Sequence, residues 1–244
     1  MSPESKDEVA DLVGRLVAPE ETDGAERRRL LGRLSEALAE SARRVGKRGR
    51  GRWLADMFLN IAPRLPIRDY ATLREHHYGL VGEQLADDLV RTAAKATMAV
   101  GAVGGALAAA EFVAPPLLLS APAQLVAETL VVAAIEVKLL AELHEVYGVS
   151  IPGNGTQRAT AYTIAWSRQR GVNPLAPGSA TLALGTAAKT ALRNRLMRTL
   201  GRHLTTLGPF LTGAVAGGAL NRAATRKLAQ AVRADLRRQL LPPP

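Results

Sequence analysis

Apolar positions along this chain recur every three to four residues and almost nowhere alternate, which is the period of helices, not strands. Leu12, Val13, Leu16 and Val17 fall on one side of a short acidic segment that Pro19 ends. Leu30, Leu31, Leu34, Leu38 and Val45 line a second predicted helix over 25–45, with charges on its other faces. Trp53, Leu54, Met57, Phe58 and Ile61 mark a third. A Pro-rich connection over 62–70 follows. Asp69 is placed to N-cap the next helix, which is expected to run from Tyr70 past Asp88 directly into a long apolar stretch.

From Ala93 to Ala110 only Lys95 and Thr97 interrupt the apolar character, and Glu111 then closes the run. Pro115 and Pro116 must break a helix. A second apolar helix is expected after Pro122, ending at Gly148 as its C′ glycine. The pattern is that of a helical hairpin. A bilayer span needs roughly 20 apolar residues. The first arm offers roughly fifteen, 96–110, and the second carries Glu128, Glu136 and Lys138. A charge at the bilayer centre costs several kcal/mol unless paired. The expectation is therefore a buried core hairpin in a mostly soluble fold, not an inserted one.

Residues 151–157 predict a turn, 157–170 a helix, and 171–181 a Gly/Pro loop. Leu192, Leu196, Leu200 and Leu204 step by four within a helix predicted over 182–206. Leu228, Val232, Leu236 and Leu240 repeat that step in the last one. The fold class expected is all-α: a multi-helix bundle with a central apolar helical hairpin and glycine-rich helix packing. Residues 1–52 are expected to form an N-terminal helical appendage with a basic linker, and 53–241 an all-helical domain.

Glycine sharpens the picture. The words GAVGGAL (101–107) and GAVAGGAL (213–220) echo each other. Each holds a pair of glycines one helical turn apart, Gly101 with Gly105 and Gly213 with Gly217. Such pairs flatten a helix face so that a neighbouring backbone can approach. Glycine inside a helix costs about 1 kcal/mol relative to alanine. The clusters therefore predict close helix packing between the two segments, or a shared origin by duplication.

Charge adds an asymmetry. The formal net charge is +10. From Lys189 onward there are eleven basic residues and one acid, Asp235, so the whole excess lies in the last quarter. Arg193, Arg195, Arg198 and Arg202 are part of it. A second cluster, Arg43, Arg44, Lys47, Arg48, Arg50 and Arg52, is punctuated by Gly46, Gly49 and Gly51, which are expected to break the helix. These ten cations are the candidate lipid- or anion-binding residues, because basic segments seek anionic headgroups or phosphates.

Catalytic signatures are missing. There is no GxxxxGK[ST] phosphate loop, no GxGxxG, no GxSxG elbow and no HExxH or ExxH pair. The chain has no cysteine, so disulfides and thiolate metal sites are excluded. His76 and His77 are adjacent and should point to different helix faces, which suits joint metal ligation poorly. Glu111, Glu128 and Glu136 stand in apolar surroundings and are candidate buried polar groups, expected to pair with Lys95, Lys138 or a C-terminal arginine. No cofactor is expected. The acidic, amphipathic N-terminus lacks the pattern of a secretory signal.

The order of these segments resembles the EcsC family of bacteria. The resemblance covers about residues 75–240 and rests on KATMAVGAVGGAL, on AELHEVYG ending at Tyr147–Gly148, and on a late segment with Pro209, Gly213, Gly217 and Asn221. It implies a membrane-associated accessory protein without an assigned catalytic activity. The chain departs from the family pattern in its acidic N-terminus and Pro-rich hairpin tip. The function expected is a non-enzymatic helical protein on the cytoplasmic face of the cell membrane, with an anionic membrane surface as its partner. The alternatives are a nucleic-acid binder using the basic C-terminal helices, and an enzyme or metal protein using core Glu and His residues.

Overall fold

The apolar run from Leu125 to Leu143 leaves no polar face wide enough for a surface helix, and the fold places it at the centre. The structure is a computed structural model that describes residues 3–18, 23–43, 50–113, 121–149, 151–169 and 209–240. Its elements are α1 (Pro3–Val17), α2 (Gly24–Arg43), α3 (Arg50–Ile61), a 3₁₀ turn at Ala62–Arg64, α4 (Tyr70–His76), α5 (Gly82–Val113), α6 (Ala121–Val146), α7 (Gly155–Gln169) and α8 (Pro209–Leu240). The protein is all-α, and no strand occurs among the described residues.

Helix α6 is the hub. It packs on α1, α2, α4, α5, α7 and α8. Leu130, Val131, Ala134, Val137, Leu140, Ala141 and Leu143 are buried. A helix apolar on all sides is either a core helix or a membrane span. None of the helices among the described residues is long and apolar enough to cross a membrane. Residues on either side of position 52 contribute to one core: Val13, Leu16, Leu34 and Leu38 join Phe58, Leu85 and Leu130. Helix α3 turns Met57, Phe58 and Ile61 into that core, and its Trp53 is partly buried, donating to Ser41 Oγ at 3.0 Å. The apolar face of α3 is thus used internally.

Local signals set most helix ends. Asp69 caps α4 by accepting from the Thr72 amide at 2.8 Å. Asp23 caps α2 by accepting from the Ala25 and Glu26 amides. Both carboxyls are held below the usual range, chiefly by those backbone amides. At the end of α6, Gly148 takes φ +65°, and the amides of Gly148 and Val149 donate back to Glu145 and His144. That is the Schellman arrangement.

Four expectations need correction. The helix expected from Tyr70 through Asp88 is two helices. Tyr78 and Gly79 take φ +55° and +78°, the Gly79 amide reaches back to the Arg74 carbonyl at 2.8 Å, and the chain restarts at Gly82. Helix α6 begins at Ala121, with Pro122 in the first turn, where its missing amide hydrogen has no intrahelical use. Helix α7 begins at Gly155. Asn154 and Gln157 close a reciprocal capping box there, each side chain accepting from the other's amide at 2.9 Å. Gly51 lies inside α3 and does not break it. The helix expected over 182–206 and the hairpin tip at 114–120 lie outside the described residues.

Candidate functional site

The most extensive helix pair among the described residues is α5 with α8, which run antiparallel. Its centre is the echoed glycine word. A Cβ placed on Gly101 would stand 2.5 Å from the Gly217 carbonyl oxygen and 2.6 Å from Asn221 Nδ2. A Cβ on Gly218 would stand 2.9 Å from the Met98 carbonyl oxygen. A Cβ on Gly104 would land on the Glu128 carboxylate of α6. So Gly101 and Gly217 are brought together, Gly218 joins them against Met98, and Gly104 faces α6. The GxxxG spacing had not singled out these last two. Gly105 and Glu111 belong to α5, and Gly213 to α8, but their surroundings lie outside the described residues.

Close approach lets short polar side chains bridge the helices. Asn221 donates to the Thr97 carbonyl at 3.2 Å. The Thr225 and Thr97 hydroxyls lie 2.9 Å apart. Thr225 also reaches Glu136 of α6 at 3.2 Å, and the Trp166 indole of α7 donates to the other Glu136 oxygen at 2.9 Å. Glu136, Thr97 and Thr225 are wholly buried, and Trp166 is nearly so. This chain of hydrogen bonds fixes the rotation of α5, α6, α7 and α8 about one point. Lys138 was expected to pair with one of the buried glutamates, but it pairs with Glu142, one turn on. Glu128 is half-buried, accepts from Gln124 at 3.1 Å and faces away towards Gly104.

A second polar cluster closes the far end of the α5–α8 pair. Arg233 donates to Glu83, to Asp87 at 2.6 Å and to the Tyr147 hydroxyl at 3.1 Å. Arg237 holds both Glu83 oxygens at 2.8 and 2.6 Å, and the Tyr147 hydroxyl donates to Glu83 at 2.9 Å. The Arg237 hydrogen bonds first, then those of Arg233 and Tyr147, hold the Glu83 carboxyl down at about 2, against an opposing push from burial. Two of the C-terminal cations are therefore neutralised within the fold. The charge count could not show this, because the partners lie roughly 150 residues away in sequence.

The next part of α8 differs. Arg226 and Lys227 are exposed and Arg222 is partly so, and none of the three has an ion-pair partner among the described residues. Beside them Val215 and Leu220 are exposed, although apolar. The sequence's ten named candidate anion contacts lie outside this stretch of α8. Arg43 is exposed at the end of α2. Arg50 and Arg52 sit in α3 without described side chains, while Arg44, Lys47, Arg48, Arg193, Arg195, Arg198 and Arg202 lie outside the described residues.

No metal chemistry is assembled where it can be seen. His77 is buried with Nδ1 2.6 Å from an Asp88 oxygen, whereas His76 is exposed, so the adjacent rings do not converge. Among the described residues no group of three His, Asp or Glu side chains is placed to hold a metal ion. Comparison with protein-family models, with curated proteins and with solved structures gives no match to this chain.

Proposed function

We propose that this chain is a non-enzymatic helical protein that docks peripherally on an anionic membrane surface, in an accessory role of the kind the EcsC resemblance implies. The observation that carries the reading is the division of charge along α8. Arg233 and Arg237 are spent on Glu83 and Asp87, while Arg226 and Lys227 are exposed with no ion-pair partner among the described residues. Exposed cations beside exposed Val215 and Leu220 suit an anionic interface, where each basic side chain contributes about 1 kcal/mol near the surface. The cluster 43–52 adds six basic residues to the same reading. Helix α6 is buried as core, which supports docking through surface charge.

Fractionation of the expressed full chain tests this. The reading expects recovery with membranes at low salt and release by a high-salt wash. Retention through both salt and carbonate would mean insertion, and recovery wholly in the supernatant at low salt would remove the membrane reading. In that last case the same cations would turn attention to nucleic-acid phosphates, which a gel shift at low salt detects.

A further inference from the structure

Between α5 and α8 an open groove of about 700 Å³ runs along the outside of the glycine interface. Its volume is that of a small-molecule site, roughly 300–1,000 Å³. It is amphiphilic along its length. At one end the walls are Ala102, Val215 and Ala219, with Met98 on the α5 side. At the other end stand Arg222 and Arg226. The sequence makes this arrangement directly: positions 215, 219, 222, 223 and 226 of a helix share one stripe. Their span from Val215 to Arg226 is roughly 16 Å at 1.5 Å per residue. The floor is deep because Gly218 has no side chain; a Cβ there would press on Met98.

The groove also holds an unanswered donor. Arg222 Nε is buried and has no hydrogen-bond partner among the described residues. A buried guanidinium N–H left in this state is costly, and among the described residues no Asp or Glu lines the groove. A carboxylate presented along the groove would meet the guanidinium groups of Arg222 and Arg226, which line it. An apolar chain attached to it would cover Met98, Ala102, Val215 and Ala219. No aromatic residue lines the groove, so it offers nothing for base stacking.

We propose that this groove binds one free long-chain fatty acid, its carboxylate on Arg222 and Arg226 and its tail towards Val215 and Ala102. This goes beyond membrane docking and does not depend on it, because the tail lies against protein and not in a bilayer. The test is calorimetric titration of the full chain with laurate below its micelle concentration, in the absence of vesicles. Binding should saturate at one laurate per chain. A charge-assisted hydrogen bond is worth about 1.5–3 kcal/mol, so Arg226→Gln should weaken binding roughly 10- to 100-fold. Ala219→Trp, at an exposed position, should block the tail and weaken binding by a similar factor. Lys227→Gln removes the same charge from the neighbouring face and should leave affinity unchanged. Acetate, which has the head without the tail, should not displace laurate. Any of three results would overturn the proposal: no saturable binding, equal losses in Arg226→Gln and Lys227→Gln, or wild-type affinity in Ala219→Trp. Arg226 and Ala219 are both exposed, so the denaturation midpoints of their variants should match wild type.

Discussion

Replacing Gly101 by alanine perturbs the α5–α8 contact at its tightest point. The added methyl would stand 2.5 Å from the Gly217 carbonyl oxygen, which is backbone and cannot rotate away. Ordinary contact begins near 3.4 Å, so α8 must retreat by about 0.9 Å. That retreat stretches the 2.9 Å Thr97–Thr225 contact and the 3.2 Å Asn221–Thr97 bond beyond useful length. Overpacking of this sort costs about 1–3 kcal/mol, and each lost hydrogen bond about 0.5–1.5 kcal/mol. Alanine returns about 1 kcal/mol of helix propensity. The net expectation is a loss of about 3 kcal/mol, read as a fall of about 1 M or more in the urea midpoint at unchanged slope. Gly104→Ala is the matched control. The atoms nearest its methyl belong to the Glu128 carboxylate, the end of a flexible side chain and not backbone, so its stability should stay within about 1 kcal/mol of wild type. If Gly101→Ala proves as stable as Gly104→Ala, the close approach of α5 and α8 is not what the glycines provide.

Two further predictions concern the polar groups around that interface. Glu136→Leu strands the buried Trp166 indole and should cost about 2–3 kcal/mol, while Glu136→Gln, which still accepts, should cost less than about 1 kcal/mol; a leucine variant as stable as wild type in urea would mean that burying the carboxylate costs as much as its hydrogen bonds return. The Glu83 carboxyl is depressed to about 2 in the folded chain from an ordinary value of 4.5. The stability it contributes is therefore full above about pH 4.5 and is lost as pH falls from there towards 2. Glu83→Gln should flatten the dependence of the urea midpoint on pH in that window, and an unchanged slope would refute the assignment.

What the sequence reveals and what it hides divide by range. The caps at Asp69 and Gly148 are local, set by a residue and the next few amides, and were readable in one dimension. The break after His76 was also local, since Gly79 and Gly82 stand beside it. It was passed over because helical spacing of apolar residues continues across it, and because Tyr78 in the left-handed region carries no sequence mark. The echoed glycine words pointed to close packing, but which glycines face the partner depends on helix rotation. That is why Gly104 and Gly218 emerged only with the structure. The second arm of the hairpin reads as core or membrane from its composition alone; its six neighbouring helices show α6 as core. Charges were the least legible. Arg233 and Arg237 look like free cations in a count, yet they are tied to Glu83, and Lys138 pairs with Glu142, while Glu136 meets Trp166 and Thr225.

The central claim is that surface charge, not an inserted hairpin, brings this chain to a membrane. Co-sedimentation of the full chain with vesicles tests it most directly, comparing anionic with neutral lipid across a salt series. Binding to anionic vesicles at low salt is expected, with a steep loss as salt screens the cations, little binding to neutral vesicles, and weaker binding when Arg226 and Lys227 are both changed to glutamine. Equal binding to neutral and anionic vesicles, or binding that high salt leaves intact, would contradict it.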